Sequence, residues 1–142
     1  MKVCEHHGLV IAVLTRNEHC PPHAHAGTDK WDARFEFSFW HNGVRLWDVT
    51  PARNEPSATV LETLRQTLKL RSNLRRAREH WWNSRQTLCL ENQQWDPAAE
   101  EAVSPKIKRF GARAIQSARF DAAAYRTILK LTGQSSYLEI EL

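Results

Sequence analysis

Seven consecutive residues, His19-Cys20-Pro21-Pro22-His23-Ala24-His25, bring three imidazoles and a thiol together. Imidazoles are acids and bases near neutral pH, and neutral imidazole and thiolate are ligands for zinc and related ions. Pro21 and Pro22 lack N–H donors and fix their own φ, so the segment is not helical. Pro22 also drives Pro21 toward extended geometry. Side chains alternate along an extended segment, so His23 and His25 project from one face. A segment this stiff has little entropy to lose on gripping a ligand.

Three chemistries fit these residues. The first is a metal site with His19, Cys20, His23 and His25 as ligands and Glu18, Asp29 or Asp32 as partner carboxylate. Its cofactor is zinc or another divalent transition metal, which at an open site lowers the pKa of bound water for hydrolysis. Against it, the chain has neither H-x-x-x-H on a helix nor paired C-x-x-C motifs. The second is metal-free acid–base catalysis by His19, His23 and His25, as in RNA cleavage. The third is structural, with the imidazoles bonded to backbone or to a neighbouring sheet. His6, His7, His41 and His80 stand alone and read as surface or turn residues.

The rest of the chain must position that segment. Its 142 residues suit one domain with a real core, 42% of them apolar and 25% charged. Cys4, Cys20 and Cys89 are irregularly spaced and odd in number, which implies no disulfide framework and suits a reducing cytoplasm. No apolar run approaches a membrane span, and the polar Met1–His7 start does not read as a signal peptide.

The net charge of +4 is unevenly spread. Residues 57–86 carry seven basic and two acidic side chains, a net +5, and residues 104–130 carry seven and one, a net +6. Between them, residues 87–103 carry four acids and no base. The basic blocks are candidates for phosphate contact through Arg71, Arg75, Arg76 and Arg78 in one and Lys106, Lys108, Arg109 and Arg113 in the other. Trp82 could stack on an unpaired base. An acidic protein partner suits the same surfaces, and so does a solvated basic helix face with no partner.

Periodicity predicts an α+β fold. Leu9–Leu14 reads as a buried strand. Phe35, Phe37 and Phe39 alternate with polar residues, and Asn42-Gly43 is a favoured two-residue hairpin turn. A hairpin over 33–50 follows, with Phe39 opposite Leu46 and Trp40 opposite Arg45. Thr59 and Glu62 form a capping-box pattern that opens helix at about 58–86. Its apolar face switches sides, which predicts a break near Arg71-Ser72-Asn73. Residues 86–101 read as a connector. Ser104-Pro105 and Asp121 read as starts of helix over about 104–132, ended by Gly133. Tyr137–Leu142 alternates as a final strand. The expectation is one domain over 1–142 with a small antiparallel sheet, a core at 8–85 and a helical extension at 86–142.

The pattern His19-x-Pro21-Pro22-His23-x-His25, followed by the Phe-rich segment and a Trp-ended helix, resembles a family of small bacterial proteins of unknown function with a His-x-Pro-Pro-His-x-His signature. The resemblance covers roughly residues 8–85. It implies a bacterial protein, with family members often encoded in toxin–antitoxin-like or mobile-element loci, and it implies no reaction. Together with the basic blocks it leads to the expectation of a cytoplasmic accessory protein of defence, toxin–antitoxin or mobile-element type. Such a protein would bind nucleic acid or a protein that handles nucleic acid. The alternative is a metal-dependent, nuclease-like hydrolase centred on His19, His23 and His25.

Overall fold

Alternating side chains in the first half of the chain build a five-stranded antiparallel sheet in simple meander order: β1 (Lys2–His6), β2 (Leu9–Ala12), β3 (His23–Gly27), β4 (Asp32–Glu36) and β5 (Arg45–Thr50). Ala24 pairs with Phe35 and Ala26 with Ala33, and all four are buried. Strand alternation therefore turns His23, His25, Asp32 and Arg34 to the other face. Gly27 permits the tight return into β4, because a Cβ there would lie 2.1 Å from the Trp31 carbonyl oxygen. Two helices, α1 (Ala58–Lys69) and α2 (Arg71–Arg85), pack on one another and on β1.

The computed structural model describes residues 1–142 and divides them into two compact units. The first is Met1–Ser38 with Asn42–Arg85; the second is Phe39–His41 with Gln86–Leu142. The second unit holds another five-stranded antiparallel sheet: β6 (Gln94–Asp96), β7 (Glu101–Val103), β8 (Arg113–Asp121), β9 (Arg126–Leu131) and β10 (Leu138–Glu141), in the order β10-β9-β8-β6-β7. Its core includes Trp95, Ile115, Phe120, Ile128 and Leu129. The architecture is mixed α+β, with two sheets where one small sheet was expected. No helix is long and apolar enough to cross a membrane.

The helix break falls at Leu70, whose ψ of 136° is extended. Asn73 Nδ2 donates to the Thr67 carbonyl at 2.8 Å and so caps the end of α1. Leu61, Leu64 and Leu68 are buried on α1, and Leu74, Ala77 and Trp81 on α2. The N-cap is Ser57, whose Oγ accepts from Val60 N, and not Thr59. Glu62 is turned instead to Arg65 and Gln66.

Two expectations are corrected. The 33–50 hairpin pairs Phe35 with Leu46 and Glu36 with Arg45, so residues 37–44 form a long connection and Asn42-Gly43 is no two-residue turn. Arg78, wholly buried, donates to the Ser38 carbonyl and to Asn42 Oδ1, both at 2.9 Å, and so holds two points of that connection. Phe37 N meanwhile donates to the Pro22 carbonyl.

The second correction is larger, since residues 104–132 contain no helix. Asp121 Oδ1 accepts from Ala124 N at 3.0 Å, but it caps a reverse turn between β8 and β9, which Tyr125 completes at φ 53°. Ile107 and Phe110, expected on a buried helical face, are exposed. Gly133, at φ 82°, sits in the turn after β9 and ends no helix.

Candidate metal centre

β3 delivers His23 and His25 side by side, with ring centroids 5.0 Å apart. His23 is clamped edge-on by Trp47 at 5.2 Å and tilted against Trp81 of α2 at 5.5 Å. Trp47 reaches that face because a bulge between Arg34 and Phe35 places it outside the regular register of β4 and β5. The loop before β3 brings in Glu18, which is buried. Arg85, the last residue of α2, donates through Nη2 to the Glu18 carbonyl and fixes the backbone from which the carboxylate extends.

Both imidazoles have one nitrogen committed. The Nδ1–H of His23 donates to the Pro21 carbonyl at 2.8 Å. The Nδ1–H of His25 donates to Asp32 Oδ2 at 2.8 Å. Neither acceptor has a proton to give, so a neutral ring in this arrangement carries its lone pair on Nε2. The two Nε2 atoms and a Glu18 carboxylate oxygen lie within 4.8 Å of one another. Glu18 Oε1 is 3.2 Å from His25 Nε2, and Oε2 is closer still to His23 Nε2. Despite that proximity, both Nε2 atoms are buried without a hydrogen-bond partner.

With both rings neutral and their Nδ1–H groups so committed, three acceptors converge without a donor and repel one another, and burial sharpens the cost. A cation at their common focus removes it. Two histidines and a glutamate are a catalytic zinc set that leaves a fourth position for water. The Asp32–His25 contact is the outer carboxylate–histidine link that orients such ligands. Access is on the Asp32 side: side-chain exposure rises from 1% at His23 and 10% at Glu18 to 16% at His25 and 50% at Asp32.

Beside His25 on the sheet, Arg34 is paired with Asp48 and stacks over Trp47, its guanidinium carbon 4.0 Å from the ring centroid. Hydrogen bonding to Arg34 holds the Asp48 carboxyl below the ordinary carboxylate range, and the same contact raises the Arg34 guanidinium. This pair stays charged at the margin of the site.

His19 is exposed and stands outside the convergent group. Cys20 is disulfide-bonded and offers no thiolate, contrary to the expectation of a chain without disulfides. Of the three carboxylates proposed as partners, Glu18 joins the histidines, Asp32 supports His25 from behind, and Asp29 is exposed elsewhere on the turn. Asp32 was expected as a candidate partner carboxylate; its place behind His25 follows from the β3–β4 pairing. Trp47 was not expected, because a bulge has no simple sequence signature.

Several of the basic residues are engaged within the protein. Arg78 is buried and holds the 37–44 connection, so it is corrected from partner-binding to structural. Arg75 pairs with Glu79, and Arg76 Nη1 donates to the Val3 carbonyl. Arg71 is exposed and Trp82 half-buried. In the second unit Arg109 is bound to Asp96 and Glu101, Arg113 donates to the Thr132 carbonyl, and Lys106 and Lys108 are exposed. Comparison with known proteins returns no match to any family model, curated protein or solved structure.

Proposed function

We propose that Glu18, His23 and His25 bind one divalent transition-metal ion, zinc by the chemistry of the set, and that the site serves hydrolysis. The observation that carries this is the convergence of two buried, unpartnered Nε2 atoms and a carboxylate within 4.8 Å. Zinc held by three protein groups lowers the pKa of a bound water to about 7 and polarises a substrate oxygen. The chain's own part is to hold the ligands rigid through Pro21, Asp32 and Arg85, to wall one side with Trp47 and Trp81, and to leave the Asp32 side open. A nucleic-acid or partner role for the helical basic block has less support, since Arg75, Arg76 and Arg78 are engaged within the protein.

Elemental analysis of untagged protein, dialysed against zinc and then against buffer, should find one zinc per chain. Free zinc at about 100 times Kd should stabilise the fold by about 2.7 kcal/mol. His23→Ala should abolish both the metal and the zinc-dependent rise in Tm. No bound metal and no shift in Tm would end the proposal. Stoichiometric iron in place of zinc would retain the site and overturn hydrolysis, because the same ligand set serves ferrous oxygen chemistry.

A further inference from the structure

The connection between β7 and β8, Ser104–Ala112, puts the most exposed aromatic ring of the chain on a braced support. Phe110 is 104% exposed and Ile107 47%. Bare phenylalanine is normally explained by mobility, but this loop is tied at several points. Gln94 Nε2 donates to the carbonyls of both Ser104 and Ile107. Ile107 N donates to the Ser104 carbonyl, and Ala112 N to the Arg109 carbonyl. Arg109, the residue before Phe110, is anchored through Nη1 to Asp96 and Glu101. Gly111 takes φ 77°, a left-handed turn that only glycine adopts without strain. The ring is thus presented, at the cost of leaving its whole surface in water.

The chain around it is basic. Lys106 and Lys108, four and two residues before Phe110, are exposed. The strand that follows, β8, adds exposed Arg113, Gln116, Ser117 and Arg119. An exposed aromatic ring followed in the chain by a strand with exposed basic and hydrogen-bonding side chains matches the way single-stranded nucleic acid is held, with bases stacked on rings and phosphates on cations. An anionic membrane is a poorer match, because two apolar side chains offer little area to insert and no amphipathic helix supports them.

We propose that the Ser104–Ala112 loop and β8 bind single-stranded nucleic acid without sequence preference. A base stacks on Phe110, and Lys106, Lys108 and Arg119 neutralise phosphates. This is independent of the metal centre and does not rest on it.

The test is fluorescence anisotropy of metal-free protein with a labelled thymidine oligomer of about 12 nucleotides. Binding should fall as salt rises, and Phe110→Ala should weaken it roughly tenfold, within the range of one lost stack. The Lys106→Ala, Lys108→Ala double variant should reduce the salt slope by about 0.7 for each lysine. These side chains are exposed, so circular dichroism should be unchanged. No binding at about 50 mM salt, or binding indifferent to Phe110→Ala, would overturn the proposal. Equal affinity for duplex of the same length would remove the stacking role. Phe110-dependent binding to vesicles of phosphatidylglycerol, in the absence of oligomer binding, would assign the loop to a membrane instead.

Discussion

Glu18 in the first unit faces two imidazole nitrogens with which it forms no hydrogen bond, whereas Asp96 and Glu101 in the second face Arg109, whose Nη1 donates to both. Asp96 also accepts from the backbone N–H groups of Ala98 and Ala99. Both carboxylates, Glu18 and Asp96, are buried. They differ in whether the protein completes them. The Asp96 cluster closes on itself: every charge has a counter-charge or donor, and its purpose is served by folding. The Glu18 cluster is held rigid from outside, by the Pro21 carbonyl, Asp32 and Arg85, yet left incomplete at its focus. A set of polar groups that is braced but unsatisfied marks a ligand site better than composition does, because folding alone gives no reason to build it.

The comparison is sharpest when one member of each cluster is removed. Replacing a ligand with His23→Ala should lower zinc affinity by more than about 100-fold, because loss of an outer partner alone costs about 10–100-fold. Asp32→Asn, which keeps the shape and weakens the bond to His25 Nδ1, should fall within that smaller range. Competition with a chromophoric chelator would measure both. If Asp32→Asn and His23→Ala proved equal, Asp32 would have to be counted a ligand, and the inner set assigned from the Nε2 convergence would be wrong.

The third test crosses the two clusters without metal. Glu18→Gln replaces an acceptor with a group that can donate to an imidazole Nε2. In chelator-treated protein it should therefore raise stability, by about 1 kcal/mol. Asp96→Asn loses the charge that faces Arg109 and should lower stability. Denaturant titrations of both variants should move in opposite directions. Movement in the same direction would show that Glu18 is satisfied as it stands, and the contrast between the two clusters would collapse.

Much of the first unit was legible because few local rules competed there. The two prolines enforce extension, alternation turns His23 and His25 to one face, and the switch in leucine positions marks the break before α2. Even so, the register of the β4–β5 hairpin differs from the one its local pattern predicts, and a buried Arg78 about forty residues away donates to Ser38 and Asn42. No local pattern announces a partner that distant. Residues 104–132 misled for a different reason. β9 buries Thr127, Ile128, Leu129 and Leu131, inside and out, so it lacks the alternation that identifies a half-buried strand. On β8 a bulge between Ile115 and Ser117 shifts the phase between its buried residues. Asp121 then serves a turn as readily as a helix start, since the side-chain bond to a later N–H is common to both. At the site, imidazoles could be nominated from sequence. The choice of Glu18 over Asp29 needed the fold of the loop.

The smallest effect follows from how the second cluster titrates. The Ala99 N–H, with Arg109 and the Ala98 N–H, holds the Asp96 carboxyl below the ordinary carboxylate range. A carboxyl whose folded pKa lies below its unfolded value binds fewer protons in the native state. Its contribution to stability is complete above the unfolded pKa of about 4 and is lost as pH falls through the lower folded value. Unfolding midpoints of parent and Asp96→Asn should therefore differ at neutral pH and converge at the acidic end of the titration. Glu62 provides an exposed control: Arg65 and Gln66 hold its carboxyl at about 2, but solvent screens that contact. Glu62→Gln should leave the acid limb nearly unchanged, and in high salt unchanged altogether.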